Sequence, residues 1–209
     1  MSDTEHWPGF DRKKHGATPA GEAIDRRSLR TRMALQDALM RLTVARGYDD
    51  LSVAEIADAA NVGRSTFYAH FTDKDDLLRS SLSALRDILA QEQAATRQDG
   101  PDGLFGFTRF LTRHMAEQQV LIRAMMRGRS GAILMDYIHH AIADILRAEL
   151  APGTRPSNSA FDTEFSVQFL VGGYLSVLTW WLERGAAEPP ERIEKAFRAV
   201  ALRGLDQAA

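Results

Sequence analysis

Residues 51–78, LSVAEIADAANVGRSTFYAHFTDKDDLL, limit what this chain can fold into more than any other stretch. Two short helical patterns flank a break at Asn61-Val62-Gly63. The first, from about Val53 to Ala60, opens on Ser52 with Glu55 at the third helical position. That is a capping box, in which each residue satisfies a backbone donor of the other. Asn61 suits the left-handed conformation that ends a helix. The second pattern, from Arg64 to about Phe71, has only Phe67 and Phe71 as an inward pair at i, i+4 spacing. Arg64, Ser65, Thr66, Tyr68 and His70 mostly point outward. A helix this short and polar needs other helices as a platform, and its outward face suits a groove.

The platform begins upstream. A helix from about Ser28 to Arg46, with Ser28 as N-cap, carries Met33, Leu35, Leu39, Leu42 and Val44, and Gly47 stops it. Residues 1–27 show no apolar periodicity and are broken by Pro8, Gly9, Gly16, Pro19 and Gly21, which predicts a flexible tail. Gly16 and Gly21 have the spacing of a phosphate loop, but Glu22 stands where the lysine is required. Arg12-Lys13-Lys14 and Arg26-Arg27 are either solvated or touch nucleic-acid phosphates as an arm. Downstream, Thr72 is expected to cap a helix with Asp75 at its third position, and a stripe from Leu77 to Leu89 carries it to about Thr96. A break follows at 99–103.

From Leu104 onward the pattern is helical throughout, and no stretch reads as a strand. The fold class is therefore all-α. The expected division is a tail over 1–27, a three-helix unit over 28–75 and a helical bundle over 76–209.

Composition closes off several functions. There are no cysteines, so disulfides, thiolate metal sites and cysteine nucleophiles are excluded. A cytoplasmic location fits. The opening MSDTEHWPGFDRKKHG has no apolar core of a secretory signal, and no apolar run is expected to span a bilayer. The net charge is −2, with bases slightly in excess from Arg26 to Lys74 and acids slightly in excess beyond. Contact with nucleic acid must therefore rest on placed side chains rather than on a general basic surface.

The residues Thr31-Arg32, Gly47-Tyr48, Ser52-Val53, Ile56-Ala57, Asn61-Val62-Gly63, Thr66-Phe67-Tyr68, His70-Phe71 and Lys74 through Leu78 resemble the N-terminal domain of TetR-family transcriptional regulators. Asn61 stands where that pattern usually has glycine, and Gly63 where it has serine. The resemblance implies a helix-turn-helix that puts residues 64–71 in the major groove of double-stranded DNA. Arg64 would read guanine, with Ser65 and Thr66 against bases or phosphates. Tyr68, His70 and Lys74 would contact the backbone, and helix N-termini near Thr31 and Ser52 would direct amides at phosphates.

The resemblance further implies a homodimer on a palindromic operator, released by a small-molecule effector, with no cofactor and no membrane partner. Candidate ligand-lining residues are Phe107, Phe110, His114, Met125, Met126, Tyr137, Tyr174 and Trp180; candidate dimer contacts are Gly172, Gly173, Trp181 and Phe197.

Two other classes remain to be weighed. Asp136, His139, His140 and Asp144 place carboxylates a turn either side of a histidine, which suits either a metal or a solvated helix face. No nucleophile, paired-acid or phosphate-loop motif accompanies them, so the chain is not expected to be an enzyme. A pure interaction bundle would explain the second half but leaves the polar face of Arg64 to His70 without a purpose.

Overall fold

The computed structural model describes residues 19–96, 103–151 and 163–207. Among them are nine helices and no strand: α1 (Pro19–Arg46), α2 (Val53–Ala59), α3 (Arg64–Tyr68), α4 (Lys74–Thr96), α5 (Gly106–Glu117), α6 (Gln119–Met125), α7 (Gly128–Glu149), α8 (Thr163–Glu183) and α9 (Pro190–Gln207). The chain divides into two compact units, one of residues 1–85 with 124–134, the other of residues 86–123 with 135–209.

In the first unit α1 packs on α2 and α2 on α3. Leu35, Leu39, Ile56, Ala57, Phe67, Phe71, Leu77 and Leu78 are buried. Each large apolar side chain in such a core contributes about 1.5–3 kcal/mol. Arg41 Nη2 donates to Ala59 O at 3.3 Å, closing the end of α2, and Arg32 lies over the Phe71 ring at 4.8 Å. Arg32 Nη2 also donates to Ser80 Oγ at 3.1 Å, so α1 is tied to α4.

Two helix starts differ from expectation. α1 begins at Pro19, not near Ser28. Proline at the first helical position lacks only an N–H that would have no partner there, so it opens the helix instead of breaking it. At α4 the cap is Asp73, one residue after Thr72: Asp73 Oδ1 accepts from Asp76 N at 2.7 Å, and Asp76 Oδ2 accepts from Thr72 N at 2.9 Å. Asp75 is thereby left out of the cap and is buried.

The turn between α2 and α3 is a Schellman motif. Val62 N donates to Ala57 O and Asn61 N to Asp58 O, each at 3.0 Å. Asn61 has φ +54°, the left-handed region. Its side chain tolerates this region better than any residue but glycine.

The second unit is built on α8. Val167, Leu170, Val171, Tyr174, Leu178, Trp181 and Leu182 are buried along it, and α5, α8 and α9 pack on one another. Gln93 Nε2 donates to Gly103 O at 2.8 Å, and its Oε1 accepts from Phe107 N at 3.3 Å, which fixes the start of α5. By length and composition α8, with 21 residues, is apolar enough to cross a membrane, contrary to the expectation that no run would be. The core helix of an all-α unit meets the same criterion, because it is apolar on several faces at once.

The Asn61 turn makes a testable point. Asn61→Gly is expected to leave stability within about 0.5 kcal/mol, whereas Asn61→Val should cost roughly 1–2 kcal/mol. Chemical denaturation of both variants beside the native chain measures the difference.

Candidate nucleic-acid interface

α3 presents what its five residues cannot bury. Phe67 is the one buried side chain, edge-on to Tyr68 at 5.4 Å and tilted against Phe71 at 5.9 Å. Arg64, Ser65 and Tyr68 are exposed, Tyr68 at 59%, while Thr66 and His70 are half-buried. Gly63 is the N-cap in extended conformation and supplies no side-chain bond.

The start of α2 lies beside this surface in sequence and is tightly built. Ser52 Oγ accepts from Glu55 N at 3.3 Å, and Glu55 Oε2 accepts from Ser52 N at 2.9 Å, so the capping box is formed. Arg46 Nη1 lies 2.7 Å from Glu55 Oε1. The Ser52 hydroxyl, then its amide, then Arg46 lower the Glu55 carboxyl to about 2. With the Ser52 N–H occupied, the first-turn amides of Val53 and Ala54 are the ones helix geometry leaves without an intrahelical acceptor.

Lys74 holds the approach to that helix. Its Nζ donates to the carbonyls of Tyr48 and Asp49 at 3.0 Å and of Leu51 at 2.8 Å, and it lies 4.7 Å from the Tyr48 ring centroid. An ammonium has three donors, and all three are used inside the protein. In this conformation Lys74 is a strut between the α1–α2 link and α4, with no hydrogen left for a phosphate.

Beside Lys74, the buried Asp75 accepts from Tyr48 Oη at 2.5 Å through Oδ1 and from Arg129 Nε at 2.6 Å through Oδ2. Burial opposes ionisation of Asp75, but the Tyr48 hydroxyl and the Arg129 guanidinium outweigh it and hold the carboxyl below its ordinary value. Burial, then the bond to Asp75, pushes the Tyr48 phenol up.

Thr31 does not stand at a helix N-terminus. It lies well inside α1, and its Oγ1 donates to Arg27 O at 3.0 Å, so its amide has no route to a phosphate. This follows from the start of α1 at Pro19. From sequence Asp75 is expected only as the third position of the α4 cap, and Arg129 is not singled out. They lie 54 positions apart, and neither has a local pattern that announces the other.

The residues proposed to line a ligand site are only partly together. In the second unit Phe110 stacks on His114 at 5.4 Å and Phe107 meets Tyr174 edge-on at 5.9 Å. Tyr174 Oη is 2.8 Å from Thr112 Oγ1 and donates to Thr108 O at 3.1 Å. Burial, helped by Arg113, lowers His114 to about 4, so it is neutral at pH 7. Tyr137 is half-buried on α7. Met125 and Met126 fall in the first unit.

The two tryptophans exchange the places expected of them. Trp180 is 47% exposed, while Trp181 is fully buried with its Nε1 donating to Glu188 O at 3.0 Å. Neighbours on a helix point about 100° apart, and only packing decides which one faces in.

Gly172 and Gly173 are exposed on α8, with no atom within 4 Å of where a Cβ would stand. Gly173 shares a groove with Phe169 and Val200, exposed at 69% and 72%. Phe169, Gly173, Trp180, Phe197 and Val200 border an apolar groove of about 420 Å³ between α8 and α9.

On α7, His140 Nδ1 is 2.8 Å from Asp136 O, and Asp144 pairs with Arg86 at 2.5 Å and Arg147 at 3.1 Å. No group of three metal-ligating side chains occurs among the described residues.

A short helix with a polar outward face, a Schellman turn before it and a three-helix platform define a helix-turn-helix DNA-binding unit, here joined to an all-α second unit. Comparison with known proteins agrees. Residues 35–80 match the family described as bacterial regulatory proteins, tetR family, and residues 103–202 match a transcriptional regulator C-terminal region. The chain belongs to the TetR family of transcriptional regulators.

It is 22% identical over 196 residues to the HTH-type transcriptional regulator YxbF of Bacillus subtilis, covering 90% of this chain and 49% of that protein. The chain thus spans about half the length of that relative. It is 27% identical over 182 residues to the HTH-type transcriptional repressor KstR of Mycobacterium tuberculosis, covering 81% of this chain and 80% of that one. The fold is similar to that of Thermus thermophilus FadR, a TetR-family repressor solved with lauroyl-CoA, at a TM-score of 0.59 and 22% identity, over 83% of this chain and 94% of that one.

The depressed Glu55 carboxyl has a pH consequence. A folded-state value of about 2 against an ordinary 4.5 contributes stability that is fully present above 4.5 and is lost as pH falls toward about 2. Glu55→Gln should remove this component. Melting temperatures of the variant should then fall less steeply through the acid range than those of the native chain.

Proposed function

We propose that the chain is a transcriptional repressor that binds a palindromic DNA operator as a homodimer and is released by a small-molecule effector. The observation that carries this reading is the outward face of α3, Arg64, Ser65, Thr66 and Tyr68, on a helix anchored by the buried Phe67. Arg64 reads a guanine edge through its fork, Ser65 and Thr66 lie against bases or phosphates, and Tyr68 and His70 contact the backbone. Lys74 acts by holding the α1–α2 link, which aims the amides of Val53 and Ala54 at a phosphate.

Residues 28–75 form the DNA-reading part, and the second unit carries effector binding and dimerisation. The dimer forms through the exposed α8–α9 face, where Phe169, Trp180 and Val200 leave an apolar surface and Gly172 and Gly173 admit a partner helix. Trp181 serves the core instead. The effector sits in the second unit near Phe107, Phe110, His114 and Tyr174, and its class is apolar. Lauroyl-CoA is the first probe to try, since a TetR-family repressor of the same fold was solved with it. No catalytic step is assigned, and the place of action is the cytoplasm, where bacterial DNA lies.

The test is enrichment of double-stranded DNA from a random-sequence pool. The native chain should enrich a near-palindrome. Arg64→Ala should cost about 1–3 kcal/mol and relax preference at one position of each half-site. Tyr68→Ala should weaken binding across all sequences. A native chain that enriches no sequence ends the proposal. In a separate measurement, light scattering should give a dimer at micromolar concentration, and Phe169→Glu should shift it to monomer while leaving the helical circular dichroism unchanged.

A further inference from the structure

The first unit contains a segment that the linear division of the chain places elsewhere. Residues 124–134 cluster with residues 1–85, although α6 begins in the second unit and α7 ends there. Two carboxylates hold this segment. Asp75 Oδ2 accepts from Arg129 Nε at 2.6 Å and lies 2.5 Å from Nη2. Asp49 receives the Arg129 backbone N–H, 3.3 Å from each oxygen, in the first turn of α7, where a carboxylate also meets the positive end of the helix dipole.

The fit is close. Gly128 has φ +66°, which favours glycine, and a Cβ there would fall 1.8 Å from Asp49 Oδ2, so glycine lets the two segments approach this way. Ser130 Oγ donates to Met125 O at 2.6 Å and secures the corner between α6 and α7.

Both carboxylates belong to the same small structure. Asp49 lies in the α1–α2 link whose carbonyls Lys74 holds, and Asp75 is bonded to Tyr48 of that link. Ser52, the cap of α2, follows one residue after Leu51. We infer that Arg129 is a positioning residue for DNA reading: by clasping Asp75 while its amide engages Asp49, it makes the first turn of α7 a strut of the reading head. α7 is one uninterrupted helix to Glu149, so its residues beyond Leu134, which belong to the second unit, are joined to the clasp by helix backbone.

The Arg129 side chain is 68% exposed. Asp75 itself is buried and keeps the Tyr48 hydroxyl as a partner when the Arg129 guanidinium is removed, so the consequence of losing Arg129 is positional rather than a loss of folding.

This inference rests on the DNA-reading proposal and deepens it. It is tested by repeating the random-pool enrichment with Arg129→Met, Asp75→Asn and the double variant, alongside circular dichroism and thermal melting. The native chain is expected to enrich half-sites at one spacing. Arg129→Met should keep the half-site sequence and native helicity, melt within a few degrees of the native chain, bind at least fivefold more weakly and accept a broadened range of half-site spacings. The double variant should be no worse than the poorer single variant, since both changes open one clasp.

If Asp75→Asn does not fold, Asp49→Asn combined with Arg129→Met takes its place, with the same expectation. Arg129→Met with unchanged affinity and a single unchanged spacing overturns the inference, as do losses that simply add in the double variant. A native chain that enriches nothing overturns both this inference and the proposal beneath it.

Discussion

A helix of five residues cannot hold itself in place, and α3 buries a single side chain, Phe67, to attach its whole outward polar face to the protein. Isolated helices of this length are not stable in water. The first unit is therefore arranged to make that one anchor sufficient. Phe71 extends the apolar contact past the helix end, and Arg32 covers the outer face of Phe71. The Schellman turn at Asn61 sets where α3 starts relative to α2. Polar residues are released to the surface because apolar ones next to them hold the helix down.

Around this apolar centre lies a set of ties made by charged groups at chain turns. Lys74 collects three carbonyls of the α1–α2 link, Glu55 and Ser52 cap each other, and Asp75 bridges Tyr48 and Arg129. Only the Tyr48–Asp75 bond is buried; the others lie at or near the surface. They order backbone that has no regular structure of its own, between Gly47 and Ser52 and at the corner before α7. Such segments otherwise have exposed backbone groups and few packing contacts to restrain them. Here electrostatics does more for geometry than for total stability.

The second unit follows a different logic. Its central helix, α8, is apolar on most of its circumference, and one side is buried while another remains open along Phe169, Gly173 and Trp180. Two of its buried polar groups are bonded to another side chain or to backbone: Gln93 to Gly103 and Phe107, and Tyr174 to Thr112 and Thr108. These bonds lower the cost of burying polar atoms and fix the register of α5 against α8.

Local patterning along the chain was enough to read the all-α class, the capping box at Ser52 and Glu55, the left-handed Asn61 and the split of residues 64–71 into an inward Phe67 and an outward polar face. All of these depend on residues within a few positions of one another, where helix periodicity and cap chemistry act directly. Residues 28–75 were accordingly the most legible part.

The remaining features depend on long-range packing. Which of Trp180 and Trp181 enters the core depends on how α8 is rotated against its neighbours, and both have the same composition signal. Whether Lys74 faces solvent or carbonyls depends on a link more than twenty residues away in sequence. That Asp75 is a buried clasp, not a helix cap, depends on Arg129, which only folding brings beside it. Short-range chemistry can be read along the chain; the pairing of distant charges and the rotation of an apolar helix are set by packing, and packing exists only once the chain has folded.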